Sequence, residues 1–239
     1  MKVIILAGGK GTRGKPYTEY FPKAMTPING KPMIDYIVRY LKSFNFVKEI
    51  IIISDYNGLG GQIKNYYGNQ KNIKFIQDSQ SGTGGDLLHI EKELKDESEF
   101  LLWFVDNLCA VDIKKMRSVF KEKNSSACIA TRTKRKEETG FAVVEDGIIK
   151  EFKEKPIMKL QLSECLGIYM LGKEIIEKIK KKKNQKQVNL SYDILEQLSK
   201  EGKVSAYDIA EKEWIDAESP MVLERNEKLV AKIIKQMGL

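Results

Sequence analysis

The sequence predicts an α/β fold in a single domain, with a mixed, mostly parallel sheet flanked by helices. Three observations carry this. Apolar runs of strand length recur through the first half: "KVIIL" (2–6), "EIIIIS" (49–54), "IKFIQ" (73–77) and "FLLWFV" (100–105). Helical patterns lie between them, and strand alternating with helix at this spacing builds a parallel sheet covered on both faces. The second half changes character, with a hairpin signal and longer gaps between apolar runs.

Taken in order, the opening "KVIIL" reads as a buried first strand, since it is far too short for a signal peptide or a membrane span of ~20 residues. "PMIDYIVRYLKSF" (32–44) places Ile34, Ile37, Val38 and Leu41 on one helical face. "GGDLLHIEKEL" (84–94) is a second helix, and 112–123 a third. "SACIATRT" (126–133) is a fifth strand, and "GFAVVEDGIIKEF" (140–152) a hairpin turning at Asp146-Gly147. "SECLGIYML" (163–171) is another strand, followed by helices at 173–182 and 191–200. Residues 219–239 are expected to carry one terminal amphipathic helix. With no repeat and no Pro/Gly/Ser linker, 1–239 is expected to be one domain.

Composition narrows the function classes. Of 239 residues, 42% are hydrophobic and 31% charged, an ordinary globular balance with room for a sizeable core. Cys109, Cys128 and Cys165 are far apart and odd in number, so they form neither a disulfide framework nor a C-x-x-C metal site, and a cytoplasmic setting is expected. The net charge of +8 invites a nucleic-acid reading, yet six lysines are concentrated in "KIKKKKNQK" (178–186). Such blocks are usually solvated helix ends, and no nucleic-acid-binding signature accompanies this one. A basic balance equally suits an enzyme with polyphosphate substrates. No nucleic acid and no membrane are expected as partners; a homo-oligomer is compatible with the sequence.

Three phosphate-binding signatures overlap in "GGKGTRGKP" (8–16). A P-loop needs a Ser or Thr hydroxyl after Gly-Lys, where this chain has Pro16, and it needs a helix at once, which Pro16 and Pro22 oppose. A dinucleotide fingerprint needs the same helix and an acidic residue roughly 20 positions on; Asp55 lies too far and Asp35 sits inside a helix. The remaining possibility is an irregular glycine loop whose backbone N–H groups approach a triphosphate, with Arg13 and Lys23 supplying charge-assisted bonds.

"LAGGKGTR", with "PK" at 22–23 and "GKPMIDYIV" at 30–38, resembles the sugar-1-phosphate nucleotidyltransferases, the family of glucose-1-phosphate thymidylyltransferases and uridylyltransferases. The resemblance continues almost to the C-terminus and implies a Rossmann-like, nucleotide-diphospho-sugar transferase-like fold, with 1–110 as the nucleotide-binding part, 111–218 as the sugar-phosphate-binding part and 219–239 as the C-terminal helix. By that resemblance Leu6, Ala7, Gly8, Gly9, Gly11, Thr12, Arg13 and Lys23 bind the nucleotide. "QDSQSGTGG" (77–85) is similar to the segment that contacts the base, here through Gln77, Gly82 and Thr83. "VDN" (105–107) makes Asp106 a Mg2+ ligand, and "WIDAESP" (214–220) makes Asp216 the second. "EKP" (154–156) assigns Glu154 to sugar hydroxyls and Lys155 to the sugar phosphate, with Gly140 and Gly167 beside them. The chain departs from the pattern at Gly14 and Tyr17, where leucines are usual, at Val105 for glycine, and at Glu218-Ser219 for Gly-Thr. It also ends near the transferase core, so no C-terminal acyltransferase domain and no acetyl transfer are expected.

Read as chemistry alone, the residues agree. Joining a nucleoside triphosphate (NTP) to a sugar 1-phosphate brings two anions together, so catalysis rests on positioning and charge neutralisation. Two separated aspartates suit a hard cation. His89 is the lone histidine, which excludes a Ser-His-Asp set. Each residue also has a plainer explanation: Asp106 as a cap for the 112–123 helix, Asp216 as a cap for the terminal helix, Lys155 as a turn lysine, Trp214 as packing, and Gly82 and Gly84 as turn glycines. Gln77 offers both a donor and an acceptor, matching N3–H and O4 of uracil or thymine. The expected substrates are UTP or dTTP with glucose 1-phosphate. The alternatives are a mannose-1-phosphate guanylyltransferase or another base and sugar pair, and a catalytically silent nucleotide-sugar-binding relative.

Overall fold

In the computed structural model, which describes every residue except Lys10, the chain folds as follows. Strand β1 (Lys2–Leu6) is followed by an irregular loop and two short strands, β2 (Pro27–Ile28) and β3 (Lys31–Pro32). Next come α1 (Met33–Lys42), β4 (Glu49–Ser54), α2 (Gly61–Tyr67), β5 (Ile73–Gln77), α3 (Gly82–His89), α4 (Glu91–Leu94) and β6 (Glu99–Phe104). The second half holds β7 (Asn107–Cys109), α5 (Ile113–Glu122), β8 (Ala127–Lys136), the hairpin β9 (Phe141–Glu145) and β10 (Ile148–Lys153), and β11 (Ile157–Gly172). It closes with α6 (Glu174–Lys180), α7 (Glu196–Lys200), β12 (Val204–Asp208), β13 (Trp214–Asp216), α8 (Pro220–Arg225) and α9 (Glu227–Gln236).

A seven-stranded sheet in the order β12-β8-β11-β6-β1-β4-β5 forms the centre. Pairings β1 with β4, β1 with β6, β4 with β5 and β12 with β8 are parallel; β11 runs antiparallel to both its neighbours. The sheet is therefore mixed and mostly parallel, in one domain. Side-chain alternation splits the core in two: Val3 and Ile5 join the layer under α1 and α5, while Ile4 and Leu6 join the layer under α3 and α6. This is why the parallel strands read as unbroken apolar runs. Among the described residues no helix is long and apolar enough to cross a membrane.

Strand order reverses at β1, which has β4 and β5 on one side and β6 on the other. Open α/β sheets bind ligands at such a switch point, beyond the carboxyl ends of the strands. Four strand ends meet there and are tied by short bonds: Ala7 N–H to the Ile53 carbonyl (2.8 Å), Val105 N–H to the Leu6 carbonyl (3.1 Å), Asp78 N–H to the Ser54 carbonyl (2.9 Å).

Several sequence expectations need correcting. The terminal helix is two helices, because Asn226 leaves helical geometry (φ −109°, ψ 28°) and its side-chain amide donates to the Val222 carbonyl, ending α8 before α9 begins. The helix over 84–94 is likewise broken at Ile90. The helix over 191–200 opens with a π-helical turn at Leu190–Leu195, capped by Asn189. The hairpin stands as expected, with Asp146 and Gly147 both at positive φ (50° and 75°), the requirement of a tight type I′ turn. It forms its own two-stranded sheet whose residues are exposed throughout.

Candidate active site

The loop after β1 starts in contact with all its neighbours. Ser54 Oγ donates to the Ala7 carbonyl, and Gly8 lies so close to Asp78 that a Cβ there would sit 1.7 Å from Asp78 Oδ2. Gly9 faces open space. Gly11 takes φ 60°, and its carbonyl accepts both Thr18 Oγ1 (2.7 Å) and Gly14 N–H (2.8 Å). This folds Thr12–Gly14 into one tight turn, with Thr12 and Arg13 exposed. Gly14 is buried, and a Cβ there would meet Thr18 Cγ2 at 2.7 Å. The leucine expected at position 14 is absent because Thr18 already fills that space. Tyr17 points outward, 43% exposed. Val105 is buried and takes no positive φ, so its backbone needs no glycine.

Asp106 follows β6 at the switch point. It does not cap a helix: Asp112 caps α5, accepting Lys115 N–H (3.0 Å). Asp106 is free for other work, and Lys23 Nζ stands 3.0 Å from its Oδ2. Nor does Asp216 cap the terminal helices, since Ser219 does so through Val222 N–H. Asp216 instead reaches Asp106 by backbone pairing. Strands β7 and β13 run antiparallel with Asp216 opposite Asn107, and Ala217 N–H donates to the Asp106 carbonyl at 2.7 Å. Burial, with Asp106 alongside, pushes the Asp216 carboxyl above its ordinary range, while Lys23 and Arg13 pull it back.

The two carboxylates fit a hard cation. Asp216 Oδ1 is buried with no hydrogen-bond partner, and the Lys23 ammonium already holds Asp106 as an internal positive charge. Among the described residues no cluster of three or more His, Cys, Asp or Glu side chains is poised to bind a metal. Two carboxylates with water and substrate phosphates completing the shell is the usual arrangement for Mg2+ and not for a structural metal.

Asn107 is the residue that the sequence left without a role. Its Nδ2 donates to Asp106 Oδ1 (2.9 Å), and its Oδ1 accepts from both Gly167 N–H (2.9 Å) and Trp214 Nε1 (2.9 Å). Its own carbonyl accepts Trp103 Nε1 at 2.8 Å. Trp214 is thus more than packing: Arg132, paired with Glu164, lies 4.4 Å over its ring. One side chain orients Asp106 and fastens β11 and β13 around it. Asn107→Ala is expected to destabilise the chain by about 1–3 kcal/mol, because it strands two half-buried donors. Urea denaturation checks this; unchanged stability would contradict the bonding assigned to Asn107. The asparagine was visible in "VDN", but only the three-dimensional arrangement shows what it joins.

The base-contact candidates are placed less simply. Gln77 Nε2 donates to Asp55 Oδ1 (2.8 Å) and its Oε1 accepts Tyr56 N–H (2.9 Å), so this amide fixes the loop after β4. Thr83 Oγ1 accepts Leu190 N–H at 2.9 Å. Gly82 (φ 82°) and Gly84 press against Val188, where a Cβ on Gly82 would lie 2.6 Å from the Val188 carbonyl oxygen. The positive φ gives the turn-glycine explanation a physical basis at Gly82, whereas Gly84 lies inside α3 and is kept small by Val188 packed against it. His89 is an exposed surface residue.

The sugar-phosphate candidates fall into two groups. Gly140, Glu154 and Lys155 lie together on the exposed hairpin lip: a Cβ at Gly140 would be 3.0 Å from Glu154 Oε2, and Lys155 N–H donates to the Thr139 carbonyl (3.2 Å). Lys155 takes φ 46°, which fixes the turn that presents it. Gly167 sits apart from them, on β11 beside Asn107, where a Cβ would lie 2.4 Å from the amide nitrogen.

Comparison with known proteins follows the same outline. The family model described as "Nucleotidyl transferase" matches residues 2–226. Over 98% of its length the chain is 32% identical to the bifunctional protein GlmU of Methanocaldococcus jannaschii. Over 90% of its length it is 30% identical to a UTP–glucose-1-phosphate uridylyltransferase of Synechocystis. It spans 55% and 60% of those two proteins' own lengths. Relatives named as mannose-1-phosphate guanyltransferases match as well. Among solved structures, one from Bacillus anthracis, assigned provisionally as a glucose-1-phosphate thymidylyltransferase and solved with sucrose, superposes with a TM-score of 0.74 at 24% identity. That superposition covers 96% of this chain and 95% of the other, and it shows the shared fold.

Proposed function

Because the chain belongs to the nucleotidyl transferase family, we propose that it forms an NDP-sugar and pyrophosphate from an NTP and a sugar 1-phosphate. The observation that carries this is the joining of Asp106 and Asp216 by the β7–β13 pair, at the sheet's switch point, with Lys23 and Arg13 beside them. A phosphate oxygen of the sugar 1-phosphate attacks the α-phosphorus in line. A new P–O bond forms as the bond to the β-phosphate's bridging oxygen breaks, and pyrophosphate leaves with that electron pair. Mg2+ held by Asp106 and Asp216 would supply charge neutralisation at the phosphates. The glycine loop presents backbone N–H groups to the triphosphate. Lys23 and Arg13 stabilise negative charge around the α-phosphate and the leaving pyrophosphate. Glu154 and Lys155 on the hairpin lip receive the sugar and its phosphate. No proton transfer is required, in keeping with the lack of a histidine near the carboxylates.

UTP or dTTP with glucose 1-phosphate is the pair we assign. Gln77 retains a second amide hydrogen and a second carbonyl lone pair beyond its bonds to Asp55 and Tyr56, enough for the adjacent O4 and N3–H of uracil or thymine. A GTP and mannose 1-phosphate pair is the second candidate, supported by the relatives named as mannose-1-phosphate guanyltransferases. A matrix of five NTPs against glucose, mannose, N-acetylglucosamine and galactose 1-phosphates, read by pyrophosphate release, decides between them. No release with any pair would instead indicate a silent binding relative. Gln77→Ala is expected to flatten the preference among bases more than it slows the best substrate. Equal loss for every NTP would reduce Gln77 to a loop anchor.

A further inference from the structure

Arg13 is already engaged by neighbouring carboxylates. Its guanidinium is paired with the Glu218 carboxylate, and the same nitrogen stands 3.9 Å from Asp216 Oδ2. The pair is partly exposed, with Arg13 62% and Glu218 36% accessible, so an entering ligand can reach it. The backbone beneath Glu218 is fixed from both sides. Ala217 N–H is bonded to the Asp106 carbonyl, Ser219 is buried and caps α8, and the Glu218 carbonyl lies against Gly14, 3.6 Å from where a Cβ would be. Rotation of the side chains alone makes or breaks the contact.

We propose that Glu218 is a positioning residue that holds Arg13 at the edge of Asp216 until a polyphosphate takes the guanidinium from it. The proposal rests on Arg13 being a triphosphate contact, as assigned above. The bound carboxylate stands in for a phosphate oxygen, keeping Arg13 close to the carboxylates without leaving it unpaired beside the glycine loop. Every incoming triphosphate must compete with it, so Glu218 raises the ligand concentration needed to fill the loop. A phosphate group can win that exchange, since it offers more charge and the loop's N–H groups in addition. A monoanionic or uncharged ligand brings neither and leaves the pair closed.

The test uses the full chain and inorganic tripolyphosphate, in metal-free buffer of low ionic strength, by titration calorimetry. Glu218→Gln keeps the side-chain shape and removes the competing charge. It is expected to bind tripolyphosphate about three- to fivefold more tightly than the native chain, the scale of a partly exposed ion pair. The gain should shrink at high salt. Arg13→Gln should weaken binding, and adding Glu218→Gln to Arg13→Gln should give no gain. Equal affinity of Glu218→Gln and native chain, with Arg13→Gln weakened, would overturn the restraint and leave the triphosphate role of Arg13 standing. A Glu218→Gln gain that persists without Arg13 would also overturn it, as a general charge effect. Unchanged binding in Arg13→Gln would remove both the restraint and the role on which it rests.

Discussion

Asp106→Asn is expected to lower turnover by about three orders of magnitude while the chain keeps its fold. Asparagine preserves the shape of the side chain and the acceptor that Asn107 Nδ2 uses at 2.9 Å. It removes the negative charge that Lys23 neutralises at 3.0 Å and that, with Asp216, suits a hard cation. Asp216 with its orphan Oδ1 would then face the phosphates without a partner carboxylate. The measurement is pyrophosphate release across a magnesium titration, with circular dichroism to confirm the fold. An unchanged magnesium dependence would refute the assignment of Asp106.

Lys23→Ala is expected to cost about 10²- to 10³-fold in kcat. Lys23 is the counter-ion of Asp106, with only 14% of its side chain exposed. Were Asp106 to hold a cation, the Lys23 ammonium would be released from it to serve the triphosphate on the same loop. One lysine thus serves the carboxylate first and the phosphate afterwards, and alanine loses both services. Arg13→Ala should act in the same direction with a smaller effect, since that side chain is far more exposed. Near-native turnover in the Lys23 variant, measured with saturating substrates, would eliminate its catalytic role.

The parallel half of the fold was legible because β1, β4 and β6 are buried on both faces and leave continuous apolar runs, while the half-buried edge strand β5 alternates. The α2 helix was not, because "GQIKNYY" carries only Ile63 and Tyr67 as buried residues in two short turns. Strands β7, β12 and β13 were also missed. They are three to five residues long, and what defines them is a partner distant in sequence, which no local period announces. The same limit applied to the site. Asp106 and Asp216 were legible by resemblance to a family pattern, but the bonds that join them belong to β7 and β13. Glu218 registered only as a departure from that pattern, and its ion pair with Arg13 spans 205 residues of chain. Ser219 kept the capping chemistry of the threonine it replaces, so that departure is structurally silent.

Strand β11 has an uneven mechanical footing. Its 16 residues run from the exposed lip to the middle of the sheet. Ile157–Lys159 pair only with the exposed tail of β8, whereas Ile168–Leu171 lie between β6 and β8. One end therefore frays at little free-energy cost and the other opens only with the whole domain. The Gly167–Asn107 hydrogen bond falls at the border between the two regimes. The strand is thus like a zip with a fixed stop, and the stop lies beside the residues that hold Asp106 in place.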